Sequence, residues 1–261
     1  MAQMINLIRT LMSKQQIGSE NILESHGHCS TCNQDVSFVA KNTWLRDHFL
    51  CTKCCSIPRE RALMQVIEQF YPDWRYVVIH ETSPSNRGAS VRLAKECKNY
   101  IPSQFFVDKK LGAVHNGMRC DNFESLTFED ESVDLHISQD VMEHIFHPDR
   151  AFKEIARTLK LGGAHIFTVP LVNKIKASKF RAKMAADGSI EHIQKPVYHG
   201  NPIDSHGSLV TMDWGYDIVK YVFDTTGLFT YMLYIDDLSK GIRAEYIEVL
   251  VTVKPKNDIG F

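Results

Sequence analysis

From Tyr76 to Pro170, short apolar segments alternate with amphipathic ones, and this alternation constrains the fold more than any other feature of the chain. "YVVI" (Tyr76 to Ile79) reads as a buried strand and "SVRLAKEC" (Ser90 to Cys97) as a short helix, with "NYIPS" (Asn99 to Ser103) as a second, weaker strand. "VDLHIS" (Val133 to Ser138) reads as a further strand. "DRAFKEIARTL" (Asp149 to Leu159) reads as a helix with Ala151, Phe152, Ile155, Ala156 and Leu159 on one face, stopped by Gly162 and Gly163 before the strand "AHIFTVP" (Ala164 to Pro170). Strands that alternate with helices imply a mostly parallel sheet covered on both faces, with ligands at the carboxyl ends of the strands. The C-terminal part differs. "DWGYDIVKYVFDTTG" (Asp213 to Gly227) reads as a helix ending on glycine, and "LFTYMLYI" and "EYIEVLVTV" as consecutive strands forming an antiparallel hairpin at the sheet edge.

With 261 residues, 44% hydrophobic and 23% charged, the chain can bury one α/β domain plus a small appendage. A net charge of −1 supplies no global field for nucleic acid, which counts against such a partner. No apolar run reaches the roughly 20 residues of a membrane span, and no basic-then-apolar leader opens the sequence. The expectation is a cytoplasmic protein.

Five of the seven cysteines lie between Cys29 and Cys55. "CSTC" (Cys29, Cys32) and "CTKC" (Cys51, Cys54) are two pairs separated by 18 residues, the spacing of two knuckles that close a four-thiolate zinc site. A full set of protein ligands implies structural zinc, which would fold a segment too small for its own core. Iron in the same cage and a redox dithiol pair are the competing readings. Cys55 reads as a small buried residue, and His26 or His28 as a substitute ligand. After the second knuckle, Ser56 reads as an N-cap and Pro58 as first-turn residue of a helix joining the ribbon to the main domain. The expected organisation is an N-terminal amphipathic helix and linker over 1–25 (Ile5, Ile8 and Met12 buried), a zinc ribbon over 26–57, and the main domain over 58–261.

"CDNFESLTFEDESVDLHISQDVMEHIFHPDRAFKEIARTLKLGGAHIFTVP", Cys120 to Pro170, resembles the middle of class I S-adenosylmethionine-dependent methyltransferases, including their glutamate-histidine pair (Glu143, His144) and the Gly-Gly turn before the fifth strand. Fold and element order extend the resemblance from about Tyr76 to Val253, implying a Rossmann-like sheet with an antiparallel last strand. A four-cysteine ribbon ahead of such a domain looks like a group of bacterial methyltransferases often associated with surface-glycan or secondary-metabolite pathways. The resemblance implies S-adenosylmethionine as cofactor, with Glu81 as the acidic residue at the first strand's end. It departs in "ETSPSNRGAS", where Ser83 and Ser85 stand near the family's glycine positions and Gly88 alone remains flexible. It implies Ser103 or Gln104 at the ribose unless Asp108 folds back, Asp121 or Asn122 at the adenine, and Gln139 and Asp140 at the sulfonium end.

Methyl transfer needs a positioned nucleophile, and a base when the acceptor is a hydroxyl or a protonated amine. The base candidates are His199 and His144. His199 lies in "EHIQKPVYHGNPIDSHGSLV", a long irregular stretch that reads as an acceptor lid over about 187–210, with Glu143, Tyr198 and His206 as acceptor contacts and a metal site as another use of its histidines. "NKIKASKFRAKMAADG" (Asn173 to Gly188) reads as a basic helix suited to a phosphorylated or acidic acceptor. The leading expectation is O-methylation of a small molecule or glycan precursor. An RNA methyltransferase gripping its substrate with the ribbon, and a non-catalytic scaffold with a degenerate cofactor fold, are the alternatives.

Overall fold

The computed structural model describes residues 21–201 and 204–256. The expected helix over Ile5, Ile8 and Met12 lies outside these residues, as does Pro202 of the expected lid.

The cysteine-rich module is a three-stranded antiparallel sheet: β1 (Leu23–Cys29), β2 (Gln34–Ala40) and β3 (Leu50–Cys51), with the one-turn helix α1 (Leu45–His48) before β3. It begins at Leu23, inside the stretch expected to be linker. Its core is small, Phe38 and Phe49 packed beside Cys29 and Cys51, so the sulfurs are part of what it folds around. Helix α2 (Pro58–Phe70) follows. Its N-cap is Ile57, one residue later than expected. An isoleucine offers no oxygen, and the Glu60 carboxylate accepts from the Ile57 N–H instead (3.0 Å). Ser56 turns its hydroxyl to the Cys54 sulfur (3.2 Å).

Among the described residues the main sheet has eight strands. These are β4 (Val78–Thr82), β5 (Asn99–Gln104), β6 (Val114–His115), β7 (Met118–Cys120), β8 (Val133–Gln139), β9 (Leu159–Thr168), β16 (Phe229–Leu233) and β17 (Val249–Val253), in the spatial order 16-17-9-8-4-5-7-6. β4, β5, β7, β8 and β9 run parallel; β17 is antiparallel to both β9 and β16, the expected edge hairpin. Helix α3 (Gly88–Glu96) follows β4, α4 (Pro148–Thr158) precedes β9, and α5 (Ile218–Thr226) ends on Gly227 in the left-handed conformation. One apolar cluster sits under α2 and α3, and a second under α4 and α5.

A chain of polar side chains crosses the sheet interior. Thr158 Oγ1 donates to the Glu154 carbonyl (2.8 Å), so it accepts from His136 Nε2 (2.8 Å). That leaves His136 Nδ1 as acceptor from His80 Nδ1 (2.8 Å), and His80 Nε2 as acceptor from Ser103 Oγ (2.7 Å). The direction follows from one threonine proton. Both imidazoles are fully buried and neutral. Burial and nearby Arg119 push His80 down to about 3, and burial beside His80 lowers His136 well below the ordinary value.

Several local expectations are corrected. Tyr76 is exposed and the first strand starts at Val78. Gly162 and Gly163 do not stop α4, which ends at Thr158; they lie within β9, where a Cβ on Gly163 would stand 2.6 Å from the Asp134 carbonyl oxygen. The glycine serves a close strand crossing at the register shift of β8 and β9. Residues 173–188 form no helix: β10 (Lys179–Phe180) pairs with β15 (Met212–Asp213), and β11 (Ala182–Met184) with β12 (Ile190–His192). Tertiary strand pairing overrides local helix propensity there. The lid is not irregular either, since β13 (Tyr198–Asn201) and β14 (Asp204–Leu209) form a hairpin. Cys55 is exposed in a left-handed turn rather than buried.

Candidate active site

The carboxyl ends of β4, β5 and β8 open into a cleft of about 940 Å³. Thr82 and Ser83 form its floor after β4, Gln104 to Asp108 one wall after β5, and Gln139, Asp140, Val141 and His144 the opposite wall after β8. Ser83 takes a left-handed backbone (φ 51°) while its N–H donates to the Ser103 carbonyl (2.7 Å), which turns the chain sharply at the strand end. Gln139 donates its amide N–H to Glu81 (3.0 Å) and Ser90 (3.0 Å), and its buried Oε1 has no partner among the described residues. A buried carbonyl oxygen on a cleft wall asks for a donor from a ligand.

Asp140 joins this cleft to the cysteine module. It has φ 53° and accepts from Arg46 Nη2 of α1 (2.7 Å) and from Thr168 Oγ1 (3.1 Å), with Arg59 Nε of α2 3.2 Å away. Burial alone would raise this carboxyl, but Arg59 and Arg46 outweigh it and hold it at about 2. Arg46 also donates to the Tyr246 carbonyl (3.1 Å).

Beyond Asp140 a one-turn 3₁₀ helix (Met142–His144) is clamped from behind. Trp214 Nε1 donates to the Met142 carbonyl (3.1 Å), and the Thr211 N–H to the Glu143 carbonyl (2.8 Å). The turn brings Glu143 and His144 to the β13–β14 hairpin, where Glu143 Oε1 lies 3.7 Å from His144 Nε2 and 3.5 Å from His199 Nδ1. The imidazole rings stand perpendicular, centroids 5.1 Å apart. The Glu143 carboxylate raises His199 above its ordinary value against the effect of burial. His144 faces the large cleft, while Glu143 and His199 line a second cavity of about 400 Å³ together with Asn173, Arg181 and Met212. The three side chains are the wall between the two cavities.

The four cysteine sulfurs converge. Cys29 Sγ lies 3.8 Å from Cys54 Sγ, and Cys32 Sγ 3.9 Å from Cys51 Sγ. A tetrahedron with metal–sulfur bonds of about 2.3 Å has edges of about 3.8 Å, whereas a disulfide would bring two sulfurs to about 2.05 Å. The donor set therefore fits zinc. His26 and His28 are not part of it: they bond Ser37 (2.8 Å), and Asp35 and Asn33 (3.1 Å each).

Residues 92–167 match the family model described as a methyltransferase domain. Over that stretch the chain is similar to a methyltransferase domain. No curated protein matches the chain. Solved structures similar to it include an S-adenosylmethionine-dependent methyltransferase from Mesorhizobium loti (14% identity, 74% of this chain and 97% of that one, TM-score 0.44). A complex of the Haloferax volcanii Trm112 methyltransferase activator with its methyltransferase is similar at 15% identity over 76% and 94% of the chains, TM-score 0.43. So is a phosphoethanolamine N-methyltransferase 2 from Haemonchus contortus (14% identity, 74% and 52%, TM-score 0.43).

Around the cleft the expected cofactor residues divide into two groups. Ser83, Gln104, Asn122, Gln139 and Asp140 border the cleft, and Asp108 lies on its rim. Asp121 also borders it, with both oxygens committed to Arg119, Thr127 and the Asn122 N–H. Glu81, Ser85, Gly88 and Ser103 do not line it. Glu81 is fully buried and accepts from Ser90 (2.6 Å), Tyr100 (2.7 Å) and Gln139, so it shapes the loop from within. Ser85 bonds Ser90 through its N–H, and Ser103 is spent on His80. Gly88 (φ 59°) leaves no room for a Cβ, which would meet Glu60 Oε2 at 2.3 Å, so it is glycine for the sake of α2 and not of a ligand. Of the expected acceptor contacts, Tyr198 and His206 are exposed and border neither cavity. The basic charges of residues 173–188 are dispersed, Lys174 toward Glu245 (3.6 Å) and Arg181 onto Asp213 (2.7 Å).

Sequence reasoning missed two features. Arg46 reaches Asp140 at the cleft edge from a module read as separate, and Arg59 at the start of α2 joins it there. Of the apolar wall of Phe105, Phe106, Ile145 and Phe146, the first two had a signal in "QFFV", aromatic residues placed after a strand where no sheet face needs them.

Proposed function

We propose that the chain transfers a methyl group from S-adenosylmethionine to an oxygen of a small molecule, a sugar or phosphorylated precursor of a surface-glycan or metabolite pathway. The observation that carries this reading is the polar wall of Glu143, His144 and His199 between two cavities, one large enough for a nucleoside cofactor and one of about 400 Å³. A cavity of that size suits a small acceptor better than a polymer.

Gln104, Asn122 and the aromatic wall would hold the nucleoside, and Ser83 and Gln139 the amino-acid end, where the unpartnered Gln139 Oε1 suits an ammonium donor. The cofactor supplies an activated methyl group on a sulfonium. The chain's own part is to hold the acceptor oxygen in line with that methyl, exclude water, and draw off the hydroxyl proton at His144 and His199. The four cysteines hold structural zinc, and through α1 and α2 the ribbon fixes Asp140 at the cleft edge. Incubation with labelled cofactor and a panel of sugars, sugar phosphates and nucleotide sugars tests the reading. Label should pass to a hydroxyl of one class; transfer to RNA alone would overturn it.

A further inference from the structure

We infer that Glu143, His144 and His199 form a binding site for a divalent transition-metal ion at the junction of the two cavities. The inference rests on the reading above and replaces one part of it: with the imidazole lone pairs on the ion, an acceptor hydroxyl at the open position would lose its proton to solvent and not to His144 or His199.

The first observation is geometric. One carboxylate oxygen of Glu143 and one ring nitrogen each of His144 and His199 lie within 4.8 Å of one another. Ligand atoms bound about 2.1 Å from one ion stand about 3.0 to 3.4 Å apart, so the 3.5 and 3.7 Å distances around Glu143 Oε1 close with shifts of a few tenths of an ångström.

The second observation is independent of that spacing. Glu143 is 2% exposed, and neither carboxylate oxygen has a hydrogen-bond partner among the described residues. A buried carboxylate in this condition is costly unless a cation meets it. Two cations could meet it: the Arg46 guanidinium, which is committed to Asp140 and to the Tyr246 carbonyl, and a protonated His199 at 3.5 Å, whose proton a metal ion would displace.

The surroundings prepare the ligands. His144 Nδ1 donates to the Leu209 carbonyl (2.8 Å), which fixes the tautomer and leaves the Nε2 lone pair toward Glu143. His199 is held by its hairpin, where Gly207 (φ 82°) passes so close that a Cβ would stand 2.4 Å from the His199 carbonyl oxygen. Two imidazoles and one carboxylate are a borderline-soft set that suits zinc, cobalt or manganese and leaves coordination positions open for an acceptor oxygen. The thiolate cluster is a different, closed site.

The test uses the full chain with its cysteine zinc retained, dialysed at about pH 6 against metal-free buffer without chelator to empty the weaker histidine-carboxylate site, returned to pH 7.5, titrated with Mn²⁺ and followed by the paramagnetic resonance signal of the free ion. Mn²⁺ is taken up poorly by thiolates, which keeps the cysteine cluster silent. One equivalent should bind per chain without cofactor or acceptor. Glu143→Gln and His199→Ala should each weaken binding at least tenfold. Glu143→Gln is nearly isosteric, and the half-exposed His199 provides a second variant should the buried site not tolerate the first; thermal unfolding verifies that each remains folded. Absence of a bound equivalent, or binding indifferent to both substitutions, overturns the inference. Because metal uptake is read without methyl transfer, its failure is distinct from failure to find an acceptor.

Discussion

Acidification from pH 7.5 to 5.5 should cost this protein a large share of its stability through three histidines inside the sheet. His80, His136 and His165 are fully buried, and burial first, then the charge of Arg119 for His80 and the neighbouring imidazoles, holds each below its ordinary value. Because the folded values are depressed, the unfolded chain binds more protons. The stability is complete above the ordinary value near 6.5 and is lost as pH falls from there toward the folded value, about 3 for His80. At pH 5.5 each histidine has lost about 1.4 kcal/mol, so the three together lose about 4 kcal/mol of a total that is typically about 5–15 kcal/mol. Carboxylates such as Asp140 release their contribution at lower pH. His199 is raised by Glu143 and works in the opposite direction, so the measurement belongs in a His199→Ala background. Urea unfolding at the two pH values reads the difference, and His165→Gln should shrink it by about a third. A change under about 1 kcal/mol, with all imidazole resonances titrating near 6.5, would refute the reasoning.

Arg46→Met leaves Asp140 with only Arg59 and Thr168, and the chain should lose about 3 kcal/mol in urea unfolding; a loss below about 0.5 kcal/mol would mean the pair is replaceable. Gly88→Ala forces a side chain against Glu60 at φ 59° and should lower thermal stability by about 1–3 kcal/mol, with unchanged stability contradicting the packing described. Gln139→Ala removes the unpartnered carbonyl from the cleft wall and should weaken S-adenosylmethionine binding about tenfold by calorimetry; equal affinity would put the cofactor elsewhere. Chelation at pH 7 should release one zinc traceable to the cysteines and expose β1 and β2 to hydrogen exchange, and Cys51→Ser should start without that zinc.

The strand-and-helix alternation and the two cysteine pairs are local patterns, so the parallel sheet, its antiparallel edge and the convergence of four sulfurs were legible from residue spacing alone. Gln104, Asn122 and Gln139 were named through the family resemblance, Gln104 and Asn122 each beside a neighbour, and they border the cleft because residues at the carboxyl ends of parallel strands face it. Segments whose conformation is decided by distant partners were not legible. Residues 173–188 carry helical composition, yet β15 and β12 capture them as strands. Glu81 and Gly88 look like cofactor residues by position, and only packing shows that one is satisfied internally and the other makes way for Glu60. Arg46 and Asp140 lie 94 positions apart, and His144 and His199 belong to a turn and a hairpin that Thr211 and Trp214 hold together. Periodicity records which face of an element is buried; it holds no information about which two faces meet, and the wall of Glu143, His144 and His199 exists only where they do.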